Sequence, residues 1–179
     1  MVFRESSRLS GLSTRTGRMN DDRQPFNPLQ AQLVAAAFNA AQVDYLFIGK
    51  SGAILLGYPG TTQDVDIFPA KSAENGRRIV KAMLELGFHL DENSQAEIIR
   101  GKDFVQIKDG PFDLDLIFAP DGIESFAEAK SRAVVEDIFP VANLRDIIAS
   151  KKASGRMKDR LDLHLLELFR VEYENQNGR

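Results

Sequence analysis

The chain of 179 residues contains no cysteine, so it forms no disulfide and offers no thiolate chemistry. It has only two histidines, His89 and His164, far apart in sequence, which argues against a zinc site. No apolar run approaches the length of a membrane span. The first residues lack the apolar core of a signal peptide, so a cytoplasmic location without a membrane partner is expected. No strong positive balance marks a nucleic-acid binder: the net charge is -3, although local placement can still create a basic face. There is no internal repeat and no second domain. What remains has an ordinary apolar content and a length that suits one domain with a real core.

The stretch from Tyr45 to Phe68 organises the chain. Tyr45 to Ile48 is an apolar run fit for a buried strand. Gly49-Lys50-Ser51-Gly52 reads as a turn of small residues, and Ala53 to Leu56 as a short buried helix stopped by Gly57 and Pro59. Gly49-Lys50-Ser51 mimics the end of a P-loop, but that motif needs a glycine where Asp44 stands. Asp64 to Phe68 alternates acidic and apolar residues and predicts a second strand. Its alternation sets Asp64 and Asp66 on one face, with Val65 and Ile67 toward the core. Two like charges side by side are tolerable with a cation between them, and hard carboxylate oxygens suit Mg²⁺. A solvated acidic face on an edge strand gives the same pattern, and both readings stand on these residues alone.

Residues 1–24 are rich in Ser, Thr and Arg, lack apolar periodicity and are expected to form a disordered basic arm. The domain is expected over residues 25–173, with a frayed tail over 174–179. Asn27 and Pro28 open a first helix, with Leu29, Leu33, Ala36, Ala37 and Phe38 at helical spacing through about Gln42. Ala73 to Leu86 predicts an amphipathic helix with Ile79, Val80, Met83 and Leu86 as its stripe, ended by Gly87. The signal from Phe88 to Arg100 is weak. Phe104 to Ile107 and Phe112 to Phe118 read as a hairpin around the turn at Lys108–Pro111. In its second strand Asp113 and Asp115 share a face and offer a third carboxylate if this strand lies beside the first acidic one. A short helix over Gly122 to Lys130 and a strand-like patch over Val134 to Val141 follow. Asn143 caps a helix with Leu144, Ile147 and Ile148, and a break at Ser154-Gly155 leads to a last helix from Met157 to about Tyr173. Leu161, Leu165, Leu168 and Phe169 are its expected buried stripe.

Lys151, Lys152, Arg156, Lys158 and Arg160 cluster around that break in an otherwise acidic chain. Such a cluster suits a triphosphate or an RNA backbone. A solvated helix face with local Lys–Asp pairs would look the same.

In this order, the segments resemble the nucleotidyltransferase superfamily related to DNA polymerase beta. Within it they are most similar to the small bacterial AbiEii and MenT type, toxins of toxin–antitoxin pairs. Those families carry a strand ending in Gly-Gly or Gly-Ser, a helix and a Thr-x-Asp-x-Asp strand. Gly49, Gly57, Thr62, Asp64 and Asp66 fall on that pattern, while Lys50 departs from the usual small residue. Lys151, Arg156, Lys158, Asp159 and Asp162 fall on a later Lys and Arg-x-Lys-Asp-x-x-Asp pattern. The resemblance spans Asn27 to Phe169.

It implies an α+β fold, with a central mixed β-sheet flanked by helices and a helical C-terminal part. It also implies a Mg²⁺-dependent transfer of a nucleoside monophosphate from an NTP to an acceptor hydroxyl, with two Mg²⁺ ions held by Asp64, Asp66 and Asp115. Asp113 is the reserve for the third acid. The implied catalytic set is Asp64, Asp66, Asp115 and Lys151. Gly49, Lys50, Ser51, Thr62, Lys151 and Asp162 would bind the nucleotide, with Ser51 supplying a phosphate contact. Lys152, Arg156 and Lys158 would face RNA. The implied partners are tRNA, whose 3′ end would be the acceptor in a block of translation, and a cognate antitoxin. A small-molecule acceptor, as in aminoglycoside-modifying relatives, is the second reading, and a non-catalytic nucleotide- or antitoxin-binding module the third.

Overall fold

A computed structural model describes residues 25–178, apart from the side chains of Lys158 and Asp159. The basic arm expected over residues 1–24 lies outside the described residues. Within them, a mixed six-stranded sheet is flanked by seven helices. The chain order is α1 (Pro28–Ala40), β1 (Tyr45–Phe47), α2 (Gly49–Leu55), β2 (Val65–Pro69), α3 (Ala73–Glu85), α4 (Glu92–Arg100), β3 (Phe104–Ile107), β4 (Leu114–Ile117), α5 (Phe126–Arg132), β5 (Val134–Glu136), β6 (Phe139–Val141), α6 (Leu144–Ser154) and α7 (Met157–Asn177). The sheet runs β3-β4-β2-β1-β6-β5. The β2/β4 and β1/β6 pairs are parallel, and the other three are antiparallel. The expected α+β architecture, a central mixed sheet with a helical C-terminal part, is the one observed.

Local chemistry explains the starts of the helices. Asn27 caps α1 by accepting from the Leu29 and Gln30 backbone N–H groups, and the Gln30 side chain accepts in return from the Asn27 N–H. This reciprocal box satisfies donors that the first helical turn leaves orphaned. The α1 stripe differs from expectation. Ala31, Val34, Ala35 and Phe38 are fully buried, whereas Leu29 and Leu33 are exposed. Apolar residues surround most of this helix, and the face with two alanines lets it approach its neighbours closely.

The expected turn at 49–52 and helix at 53–56 form one continuous helix, α2, that leaves β1 directly. The weak segment before Arg100 holds α4, capped by Asp91. The patch at 134–141 is a hairpin that turns at Asp137, where φ is 51°. The tail expected to fray from Glu174 is helical through Asn177. Glu174 accepts there from Arg145 and Arg170, at 2.8 and 2.6 Å. The α7 stripe is also corrected. Leu166 is fully buried, with Phe169 partly buried, while Leu161, Leu165 and Leu168 face away from the core.

Candidate active site

β2 and β4 run side by side in parallel, with Asp66 opposite Asp115, Val65 opposite Leu114 and Ile67 opposite Leu116. Strand alternation separates two faces. Val65, Ile67, Leu114 and Leu116 are fully buried on one of them. The other carries Asp66 and Asp115 toward an open cleft of about 680 Å³. Asp64 lines the same cleft from just before β2. Asp113 precedes β4, and its carbonyl accepts from the Val65 N–H at 3.0 Å, so the register sets Asp115 rather than Asp113 beside Asp66.

The crowding of carboxylates has an electrostatic signature. Burial, then the neighbouring Asp115 and Asp64, push the Asp66 carboxyl up to about 7. Lys151 and the Ser51 hydroxyl oppose that rise without cancelling it. Burial and Asp64 push Asp115 up to about 6, against a hydrogen bond from Gln106. One Asp115 oxygen, Oδ1, is buried without a hydrogen-bond partner among the described residues. An orphaned buried carboxylate oxygen beside a second carboxylate is a donor set that a hard cation satisfies. Among the described residues, however, no three His, Cys, Asp or Glu side chains converge as a formed metal site.

The same cleft also has basic lining. Lys50, from the first turn of α2, donates to Asp162 at 3.0 Å, and Lys151, from the last turn of α6, lies 4.0 Å from the same carboxylate. Asp162 on α7 thus sits between the two lysines and holds both at the cleft. Thr62, Gly49 and Arg156 complete this part of the lining.

Two expected residues lie elsewhere. Ser51, expected at a phosphate, is fully buried. Its Oγ accepts from the Asp66 N–H at 2.9 Å and donates to the Ile48 carbonyl at 3.3 Å. Ser51 therefore ties α2 to β2 beneath the aspartate. Lys152 is not part of the cleft lining and pairs with Glu167 at 2.6 Å. Adjacent helical residues point about 100° apart, so the face that brings Lys151 to the cleft takes Lys152 away. The Lys158 side chain lies outside the described residues.

Gln106, Phe104, Ser150 and Ser154 also line the cleft and carry no motif. The signal for Gln106 was the hairpin register, which sets it opposite Asp115. The Ser51 tie makes a prediction. Ser51→Ala should leave the buried Asp66 N–H unsatisfied and cost about 1–3 kcal/mol in urea unfolding. Ser51→Thr, which keeps the hydroxyl, tests whether packing alone explains the loss.

No family model matches the chain, and no curated protein sequence matches it. Solved structures do. The nucleotidyltransferase ANT(2'')-Ia, an antibiotic-resistance factor, superposes with a TM-score of 0.51 at 16% identity, covering 86% of this chain and 95% of that one. The fold is nucleotidyltransferase-like. JHP933 from Helicobacter pylori gives a TM-score of 0.50 at 16% identity over 82% of this chain. That match spans about two thirds, 66%, of the JHP933 chain. Among the described residues no helix is long and apolar enough to cross a membrane.

Proposed function

We propose that the protein is a nucleotidyltransferase that moves a nucleoside monophosphate from an NTP to the 3′ hydroxyl of tRNA, as the toxin of a toxin–antitoxin pair. The observation that carries the chemistry is the parallel register that sets Asp66 beside Asp115 in a cleft that Lys151 also lines.

The acceptor oxygen bonds to the α-phosphorus, the bond from that phosphorus to the β-phosphate bridging oxygen breaks, and pyrophosphate leaves. Asp115, set beside Asp66 in the cleft, takes the hydroxyl proton. Lys151 and Lys50 neutralise the triphosphate, and Asp162 orients both amines. Asp64, Asp66 and Asp115 are the residues that would hold Mg²⁺. When bound, two such ions stabilise charge on the attacking and leaving oxygens.

Arg156 lines the same cleft as Lys50 and Lys151, which suits an RNA backbone there. The similarity to ANT(2'')-Ia over 95% of that chain favours a second reading, a small hydroxylated antibiotic as acceptor. Incubation with each radiolabelled NTP, total tRNA and a set of aminoglycosides separates the two. The expected result is label on tRNA. Arg156→Ala should weaken tRNA binding and reduce its salt slope by about one, the signature of one lost phosphate contact. Label on an aminoglycoside alone, with tRNA affinity flat against salt, selects the second reading. No transfer to either acceptor rejects both.

A further inference from the structure

The cleft has an apolar corner that the transfer chemistry leaves unused. Among the described residues, Phe104 is the only aromatic side chain that lines the cleft. It stands on β3, the edge strand of the sheet. Alternation buries Val105 and Ile107 in the core and turns Phe104 and Gln106 to the cleft face, where Phe104 is 48% exposed. Edge strands are normally blunted by charge or proline, so a large open ring there is a liability unless a ligand covers it. The corner is built on the strand ladder. Phe104 lies opposite Ile117 of β4, which also lines the cleft. The Phe118 and Ala119 N–H groups donate to the Asp103 carbonyl, at 2.9 and 3.4 Å. Those bonds hold Ala119 and Pro120, two further lining residues, next to the start of β3.

Resting on the nucleotidyl-transfer reading, we propose that Phe104 is the stacking platform for the base of the acceptor's terminal nucleotide. The register supports the position. Gln106 lies opposite Asp115, so Phe104 and Asp115 are diagonal neighbours on one face, about 7–8 Å apart. A nucleoside whose 3′ hydroxyl meets Asp115 has its base within reach of that ring. The direction of transfer supports the acceptor as the occupant. In-line displacement sets the acceptor oxygen across the α-phosphorus from the departing pyrophosphate. Lys50, which neutralises the triphosphate, stands on α2, the helix that follows β1, whereas Phe104 stands on β3. In the sheet, β1 and β3 flank the β4–β2 pair from opposite sides. The triphosphate therefore lies toward α2, and the acceptor comes in over β4 and β3. The chemistry of the ring fits an RNA end, because unpaired bases are held by stacking on aromatic side chains. A bare phenyl ring makes no base-edge hydrogen bond, so it accepts any terminal base.

Phe104→Trp in the full chain keeps a flat ring and supplies a lone fluorophore, because the sequence has no tryptophan. Without NTP, a short single-stranded oligoribonucleotide should quench its emission. The same strand with an abasic 3′-terminal ribose should bind about tenfold more weakly and quench little. NTPs with Mg²⁺ should leave the emission unchanged. In transfer assays Phe104→Ala should raise the KM for tRNA about tenfold, while Phe104→Trp keeps the wild-type value. The KM for NTP should stay the same in both variants, and so should the circular dichroism spectrum. Quenching by NTP instead of the oligoribonucleotide overturns the proposal and gives the ring to the incoming nucleotide. Equal quenching by the two strands overturns it as well, as does a tRNA KM indifferent to Phe104→Ala. Wild-type transfer to tRNA without base-dependent quenching removes the stacking site alone. Base-dependent quenching with no transfer to any acceptor removes the reaction and keeps the ring as a stacking site for an RNA end.

Discussion

Asp66→Asn is expected to reduce nucleotidyl transfer by at least about 10²–10³-fold, the loss seen when one fixed electrostatic partner of a transition state is removed. The same substitution should stabilise the metal-free fold. Asn has nearly the shape of Asp but adds no charge to a half-buried site already shared with Asp115 and Asp64. The direction of the pH dependence follows from proton binding. In the folded protein the Asp66 carboxyl holds its proton to about 7, whereas its ordinary value is 3.8. Between those limits the native state binds more protons than the unfolded chain, so stability falls as pH rises. The penalty is absent below about pH 4 and complete above about pH 7, with a size of roughly 2–4 kcal/mol at 1.36 kcal/mol per unit. Asp115, raised to about 6, contributes with the same sign. Urea unfolding in EDTA at several pH values should therefore show wild-type stability declining from pH 4 to 7, with Asp66→Asn flattening much of the decline. An active Asp66→Asn protein, or a wild type that gains stability over this range, contradicts the assignment of this carboxylate.

Strand alternation was the part of the site most directly legible in the sequence. Asp64-Val-Asp-Ile and Asp113-Leu-Asp-Leu each separate acids from apolar residues, and Val65, Ile67, Leu114 and Leu116 are all fully buried. The period of two leaves no other way to place those residues in a core. Pairing between strands was harder to read. β2 and β4 are separated by α3, α4 and β3, and only their tertiary neighbourhood puts Asp115 beside Asp66. Ser51 was misassigned because a hydroxyl in a small-residue turn suits a phosphate and a backbone N–H equally. Burial, which decides between them, is a tertiary property. Helix faces failed for a related reason. α1 and α7 carry apolar residues on two sides, so spacing alone yields two stripes. In α1 the alanine-rich side packs, and in α7 the Leu166 side packs while the longer leucine stripe stays outside.

Gly49→Ala is expected to cost both stability and activity, and Gly57→Ala to cost stability with little loss of activity. Both glycines have positive φ, 62° at Gly49 and 99° at Gly57. Any residue with a Cβ is strained there, by about 1–2 kcal/mol. Only Gly49 stands against the site. A Cβ on it would lie 2.5 Å from Asp66 Oδ2 and 2.9 Å from Asp66 Cγ, whereas one on Gly57 meets nothing closer than Phe169 Cζ at 3.9 Å. Asp66 cannot retreat by moving its strand. β2 is bonded to β1 on one side and to β4 on the other, and the Asp66 N–H is held by Ser51. The conflict must therefore be relieved by turning the carboxylate away from Asp115 or by displacing the start of α2. Either movement shifts a reacting group by about 1 Å, a misplacement that can cost about 10²-fold in rate. Thermal unfolding should show both variants destabilised, Gly49→Ala the more because of its added contact with Asp66, and initial rates at saturating NTP should fall about a hundredfold for Gly49→Ala alone. Equal rates in the two variants would mean that the contact between Gly49 and Asp66 does not position the carboxylate for transfer.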